Sequence, residues 1–412
     1  MRSTPRTMVE PRHGYTERIL TGLSTRAEAA AAEMRKIRVL HILTTEVRGG
    51  IEEGVLSLLC NLDRNQFSVA FACPPVLLQA YGRDLEGLDL AIHAMPPLSR
   101  PYNFVALARL ARTLRAVRPD IVHTHLFVTS LCVAPVAKLC GVPVVVETCR
   151  IREGWRRGIW KGYGIDRWVN RCVDANIAIS NSLRCYLLED KLFPPEKVVL
   201  IRNGRELSRV VAPSDGDVEV LRREFQVPRD ELVVSVPGRL ENQKGHRYLL
   251  EALPDVLRRF PKLRVLIVGE GSLRHELAAE VERRKVKDHV VLTGYRNDVY
   301  NILRLSDLVV LPSLYEGLPL VAIEAGVLGK PIVATAVDGT PEVVLHGETG
   351  WLVPPADSAE LAKAMCALLA DPALRARMGE RARDYVMREY SFDRLVAETE
   401  KLYSRLYTLL AA

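Results

Sequence analysis

Nine residues, Glu316–Glu324 (EGLPLVAIE), combine what a site for a phosphorylated sugar needs. The apolar run Leu308–Leu311 before them reads as a buried strand ending at Pro312-Ser313. Pro319 suits the first position of a following helix, where its missing N–H costs nothing. Gly317 lets the loop come close to a ligand. The free N–H groups and the dipole at such a helix start favour an anion, which points to phosphate. Two carboxylates flank the turn: Glu316 ahead of the helix, and Glu324 on the helix face that it shares with Leu320. A carboxylate accepts hydrogen bonds from hydroxyls, so sugar or ribose is the natural partner of both. A buried α/β helix with one N-terminal glutamate would carry the same residues, so other stretches must decide.

Four do. In VPGRLENQKGH, Arg239 and Lys244 converge on a strand end, and a guanidinium fork with a lysine point charge suits a diphosphate. In Ile121–His125, alternation puts His123 and His125 on one side, with His125 nearer the strand's C-terminal edge. His125 is the expected substrate contact and His123 a structural histidine; for zinc, no third ligand is spaced with them. Gly49-Gly50 lie between the first strand and a helix, a phosphate-cradling geometry that without G-x-G-x-x-G is also a plain turn. Later strands end in Gly269-Glu270-Gly271 and Thr293-Gly294-Tyr295; the second, with Tyr295 or Arg296, offers main-chain groups to a nucleobase. Asp215-Gly216-Asp217 looks like a D-x-D metal signature but falls between domains, where a hydrophilic loop is expected.

The elements that must position these residues alternate. Arg38–Leu43, Val69–Cys73, Ile121–His125, Val144–Thr148, Ala175–Ser180 and Val198–Asn203 read as strands separated by helices, and near-continuous apolar strands mean a parallel sheet covered on both faces. A second series follows at Leu232–Val236, Arg264–Val268, Val290–Thr293, Leu308–Leu311, Pro331–Val337 and Trp351–Val353. The expected fold is α/β: two doubly wound Rossmann-like domains facing each other across a cleft, with ligands at strand C-terminal ends. The expected boundaries are a poorly ordered extension over 1–34, a first domain over 35–205, a linker over 206–230, a second domain over 231–390, and a C-terminal helix over 391–412 that can cross back to the first domain.

The chain has 412 residues, and its eight cysteines contain no C-x-x-C pair. Buried thiols in a reducing cytoplasm fit that usage. No apolar run approaches the roughly 20 residues of a membrane span, and residues 1–34 lack the apolar core of a secretory signal. The net charge of +7 is uneven, with +10 over residues 1–205 and −3 over the rest. A basic first half points to a polyanion, an anionic membrane surface or a phosphorylated substrate. Residues 151–171 hold Trp155, Trp160 and Trp168 among Lys and Arg, the composition of an interfacial membrane segment or of aromatics packed in the domain. No motif accompanies the charge that would read nucleic acid.

Residues 230–390 closely resemble glycosyltransferase family 4, retaining enzymes of the GT-B fold, through GRLENQKG, VGEGSLRHEL, TGYRNDV, LPSLYEGLPLVAIEAGVLGKPIVATAVDGTPEVV and GWLVPPAD in that order. The first domain is similar more loosely, through GGIEEGVLSLL and the HTH strand end. The resemblance implies Arg239 and Lys244 on the donor diphosphate, Glu324 on ribose hydroxyls and Glu316 on the transferred sugar. It puts Gly49-Gly50 near the donor phosphate or the acceptor, and His125 near the sugar. Gly294, Tyr295, Arg296, Gly317, Leu318 and Leu320 complete the expected donor contacts. The family's usual aspartate after Asn-Gly-x is Glu206 here. The implied activity is transfer from a nucleotide-diphosphate sugar to a hydroxyl acceptor, possibly lipid-linked, with no cofactor and no metal. The other readings are a nucleotide-sugar 2-epimerase of the same fold, whose first-domain acid and base carboxylates are not found, and a non-catalytic sugar-nucleotide binder.

Overall fold

A computed structural model describes residues 35–46, 48–98, 103–152, 163–206 and 214–411. The first sheet comprises β1 (Ile37–Ile42), β2 (Phe67–Cys73), β3 (Ala91–Ala94), β4 (Ile121–His125), β5 (Val144–Cys149), β6 (Ala175–Ala178) and β7 (Val198–Leu200). Their order is β3-β2-β1-β4-β5-β6-β7, and every pairing is parallel. The second sheet comprises β8 (Leu232–Pro237), β9 (Leu263–Val268), β10 (Val290–Gly294), β11 (Leu308–Leu311), β12 (Ile332–Thr335) and β13 (Gly350–Val353). It runs β10-β9-β8-β11-β12-β13, again parallel throughout. This is α/β with two doubly wound sheets. Each order reverses direction once, between β1 and β4 and between β8 and β11, and the crevice at such a switch point is where doubly wound sheets take ligands.

β3 was absent from the strand expectations because AIHA is a four-residue edge strand with three exposed positions, and it shows no buried face to the sequence. A second correction concerns Asp215-Gly216-Asp217, which opens a helix over Asp215–Glu224. Ser214 and Asp217 form a reciprocal capping box there, so the acidic pair serves the orphan N–H groups of a first turn.

Three helices matter most for the site. α1 (Gly50–Asn61) follows β1, with Gly49 as its N-cap. α2 (Leu320–Val327) follows β11; Pro319 is its extended N-cap, so the helix begins one residue after the expected start. α3 (Phe392–Ala411) follows the second domain but lays Phe392, Leu395, Val396, Leu402 and Tyr403 into the first domain's core beside Val39, Phe67 and Ile121. Truncating Leu402, 3% exposed, to alanine should cost about 2–5 kcal/mol as a core cavity. The chain thus crosses between domains twice, and the crossings touch where Arg205 bridges Ser391 and its N–H donates to the Tyr390 carbonyl. A further apolar cluster joins Ile179, Leu183 and Tyr186 of the first domain to Leu311, Leu318 and Ile323 of the second.

Candidate active site

The second-domain half gathers at the ends of β8 and β11. Gly245 turns the β8 loop at φ +63°, and a Cβ there would stand 2.0 Å from the Pro312 carbonyl oxygen, so only glycine lets Lys244 come so close to the β11 loop. Lys244 Nζ consequently lies 2.6 Å from Glu316 Oε1, which also accepts the Ser313 hydroxyl at 2.7 Å. The Glu316 N–H donates to Asp338 Oδ2 at 2.9 Å, and burial raises the Asp338 carboxyl above its ordinary range. Arg239 Nη2 donates to Gln243 Oε1 at 3.2 Å, and the Gln243 amide in turn donates to the Tyr315 carbonyl at 3.0 Å. The loops carrying Arg239, Lys244 and Glu316 are therefore one hydrogen-bonded unit.

Glu324 lies inside α2, 6% exposed, and its Oε1 accepts Arg205 Nε at 2.8 Å and the Tyr300 hydroxyl at 3.5 Å. Burial raises its pKa, with Arg205 opposing. Arg205 was not among the expected site residues; its one signal was its place beside the interdomain crossing. Tyr295 is exposed, whereas the Arg296 guanidinium is committed to Asp298 at 2.7 Å and to Glu224, tying the helix Asp215–Glu224 to the second domain. Gly294 ends β10 at φ +80°. Gly317 does make a close approach, but to protein: a Cβ would stand 1.9 Å from the Arg150 carbonyl oxygen in the opposite domain. Leu318 is buried in the interdomain cluster, and Leu320 Cδ1 lies 3.7 Å from a Cβ placed on Gly50.

The first-domain half is built from three neutral imidazoles behind one cation, Arg150. The β1–β4 register sets His41 beside His123, and ligand atoms of His41, His123 and His125 all lie within 4.8 Å of one another. No third ligand is spaced with the pair in sequence, but in the fold a third imidazole joins it from β1: His41 stands 82 residues before His123 (123 − 41), where sequence spacing is silent. The hydrogen bonds assign the tautomers. Arg150 can only donate, so its Nη2 contact of 3.3 Å makes His125 Nδ1 an acceptor. His125 Nε2–H then donates to His41 Nδ1 at 3.2 Å, and His41 Nε2–H to the Tyr403 oxygen at 3.2 Å. The Tyr403 hydroxyl donates to His123 Nδ1, and His123 Nε2–H to Thr148 Oγ1 at 2.7 Å. Every link runs one way, from Arg150 to Thr148, and each imidazole nitrogen is used. Burial holds all three histidines neutral: His41 is lowered to about 3, and His123 and His125 well below their ordinary value. This arrangement favours a hydrogen-bond chain over a metal centre, because a cation would have to displace the Tyr403 links beside the Arg150 charge.

His125 is thus wholly buried behind Arg150, with both ring nitrogens engaged. Gly49-Gly50 stand at the start of α1, whose first amides have no side-chain cap. Trp168 is exposed on the helix Gly164–Asn170, while Trp155 and Trp160 lie outside the described residues. Among the described residues, no helix is long and apolar enough to cross a membrane.

Two doubly wound parallel-sheet domains packed through an apolar cluster, with the chain crossing between them twice, are the architecture of the GT-B class of enzymes. Comparison with known proteins agrees. Residues 217–385 match the model for glycosyl transferases group 1, and residues 49–204 match the glycosyl transferase 4-like domain. The UDP-Gal:alpha-D-GlcNAc-diphosphoundecaprenol alpha-1,3-galactosyltransferase of Escherichia coli is 26% identical over 381 residues, covering 89% of this chain and 97% of its own. A Mycobacterium tuberculosis glycogen synthase is 29% identical over 365 residues, covering 86% of this chain and 81% of its own. The crystal structure of Anabaena HepE in complex with UDP and glucose shares the fold with a TM-score of 0.79 at 20% identity, covering 90% of this chain and 100% of that one. The chain belongs to the group 1 glycosyltransferases of the GT-B fold, and it is a nucleotide-sugar glycosyltransferase.

Proposed function

We propose that this enzyme is a retaining glycosyltransferase that moves a sugar from a nucleoside-diphosphate sugar to a hydroxyl of a lipid-linked saccharide, in cell-surface polysaccharide synthesis at the cytoplasmic face of a membrane. The observation that carries the donor side is the Lys244–Glu316 pair, set between the Arg239 loop and the α2 N-terminus at the second sheet's switch point. When the glycosidic C–O bond breaks, its electron pair stays on the phosphate oxygen and the anomeric carbon becomes oxocarbenium-like. Arg239, Lys244 and the free amides of α2 meet that growing negative charge, a role a divalent ion fills elsewhere. Lys244 must then share or leave its contact with Glu316, which frees one carboxylate oxygen for a sugar hydroxyl. The acceptor oxygen attacks from the face the phosphate leaves, so configuration is retained, and the departing phosphate takes the acceptor's proton. Glu316 is not the nucleophile in this reading, since Lys244 and Ser313 hold its Oε1. Glu324 holds ribose, with Arg205 fixing the carboxylate.

The E. coli relative acts on a diphosphoundecaprenol-linked sugar, which supports a lipid-linked acceptor. The first domain offers a matching surface: the helix Phe104–Val117 has no acidic residue, exposes Arg109, Arg112 and Arg115, and begins with Phe104 and Val105, 78% and 67% exposed. Exposed apolar residues beside unpaired cations suit an anionic lipid surface. Incubation with UDP-sugars in the presence of chelator, with and without diphosphate-linked lipid acceptor, tests the reading. Transfer with retained configuration is expected; chelator abolishing turnover with magnesium restoring it would remove the metal-free mechanism. Conversion of donor to its 2-epimer without acceptor would make the chain an epimerase, and retention of donor without turnover a binding protein.

A further inference from the structure

Lys244 is paired with Glu316 and Arg205 with Glu324, but the buried cation beside His125 in the first domain has no such pair among the described residues. Arg150 follows β5, is 8% exposed, and has no carboxylate within ion-pair distance among the described residues. Among the described residues its only side-chain hydrogen bond is to neutral His125, and its buried Nε has no partner there. Burial pulls the guanidinium down to about 10, with Glu52 opposing from a longer range. A buried cation whose opposing carboxylate stands beyond ion-pair distance costs several kcal/mol, far more than orienting one histidine requires.

The surroundings show where a counter-charge fits. Arg150 Nη1 lies 3.9 Å from a Cβ placed on Gly54 of α1. Gly50, one turn earlier on that face, has Leu320 Cδ1, from the first residue of α2, 3.7 Å from its own Cβ position. Two helix N-termini therefore meet beside the guanidinium, and neither glycine supplies a side chain to fill the space. The acidic groups on these elements are Glu52 and Glu53 of α1 and Glu316 ahead of α2; Glu53 is paired with Arg48 and Glu316 with Lys244. An anion is favoured there by both dipoles and by the guanidinium fork.

We propose that Arg150 binds a phosphoryl group of the substrate between the N-termini of α1 and α2, opposite Arg239 and Lys244. The group is either the donor's terminal phosphate or a phosphate of a diphosphate-linked acceptor. The choice of these two sources rests on the proposed function; the anion site does not. Calorimetry with UDP, with inorganic pyrophosphate, and with a short-chain sugar-diphospholipid in saturating UDP, on wild type, Arg150→Gln and Arg150→Lys, decides it. Losing one charge-assisted fork should weaken binding about 10–100-fold in Arg150→Gln, with Arg150→Lys in between. Weaker UDP binding assigns the site to the donor; unchanged UDP with weaker diphospholipid assigns it to the acceptor. If wild type ignores UDP but binds pyrophosphate in an Arg150-dependent way, the anion site stands and the nucleotide-sugar reading falls. The proposal is overturned if Arg150→Gln, shown to be folded by a cooperative melting transition at or above that of wild type, binds all three probes as wild type does, or if wild type binds none.

Discussion

The two switch points of this molecule occupy equivalent places in their sheets yet carry opposite chemistry. Between β8 and β11 stand ion pairs, Lys244–Glu316 and, deeper, Arg205–Glu324. Between β1 and β4 stand three neutral imidazoles and a tyrosine, closed into a one-way hydrogen-bond chain. The difference follows from what each side has to do. A donor carrying a diphosphate exchanges partners with charged side chains, so those must be paired when empty and able to let go. A wall that orders the cleft while keeping the same charge throughout turnover is better built from groups that do not titrate near neutral pH.

The largest effect is expected on the charged side. Arg239→Gln and Lys244→Gln combined should lower turnover by more than about 1000-fold, since removal of a single preorganised donor typically costs about 100–1000-fold. If each single variant instead loses less than about threefold, these side chains do not face the leaving phosphate and the contrast between the two halves collapses.

Next come the two glutamates. Glu316→Gln keeps size but loses the charge near a developing cation, so kcat should fall by about 10–1000-fold with donor affinity retained. Glu324→Gln removes a contact to a part of the donor that does not react, and should chiefly raise the donor KM. Because Glu324 also holds Arg205 at the interdomain crossing, a lower melting temperature should accompany that change. Steady-state kinetics with calorimetry on both variants checks the split, and it fails if Glu316→Gln loses affinity at unchanged kcat.

The same contrast explains what the sequence could show. The β11 loop, its glycine and its glutamates were legible because one short stretch holds strand, turn and helix start together, and the β8 loop was legible as a second such unit. Both sheets were legible from apolar runs, apart from the exposed edge strand β3. The neutral half was not, because His41, His123, Arg150 and Tyr403 come from four distant segments. Only the β1–β4 register and the return of α3 bring them together. Arg205 was hidden for a related reason, since its partner Glu324 lies across the domain seam.

The last effect is on stability, and it tests whether the histidines of the first-domain half are neutral. His41, His123 and His125 are held below their ordinary pKa by burial, so the folded protein leaves them unprotonated where the unfolded chain protonates them. Below about pH 6.5 the unfolded state therefore binds more protons, and stability falls with pH by about 1.4 kcal/mol per unit for each histidine. The loss continues until the folded pKa is reached, which for His41 is about 3, and nothing is lost above about pH 7 from these groups. Most carboxylates add their own acid dependence only toward pH 4, which leaves pH 5–6.5 as the window in which the buried histidines, with His246 lowered to about 4 among them, set the slope against the opposing, raised Asp338 and Glu324. Tyr403→Phe probes the chain itself: it strands His41 Nε2–H without an acceptor and His123 Nδ1 without a donor, at about 1–3 kcal/mol. It should also steepen the least at low pH, because an imidazole freed from a buried donor protonates more readily in the fold. Melting curves of wild type and Tyr403→Phe from pH 5 to 7.5 give both slopes. A wild-type transition that does not move between pH 7 and 5 would mean that the histidines already carry charge in the fold, and the neutral half would have to be redrawn as a charged one.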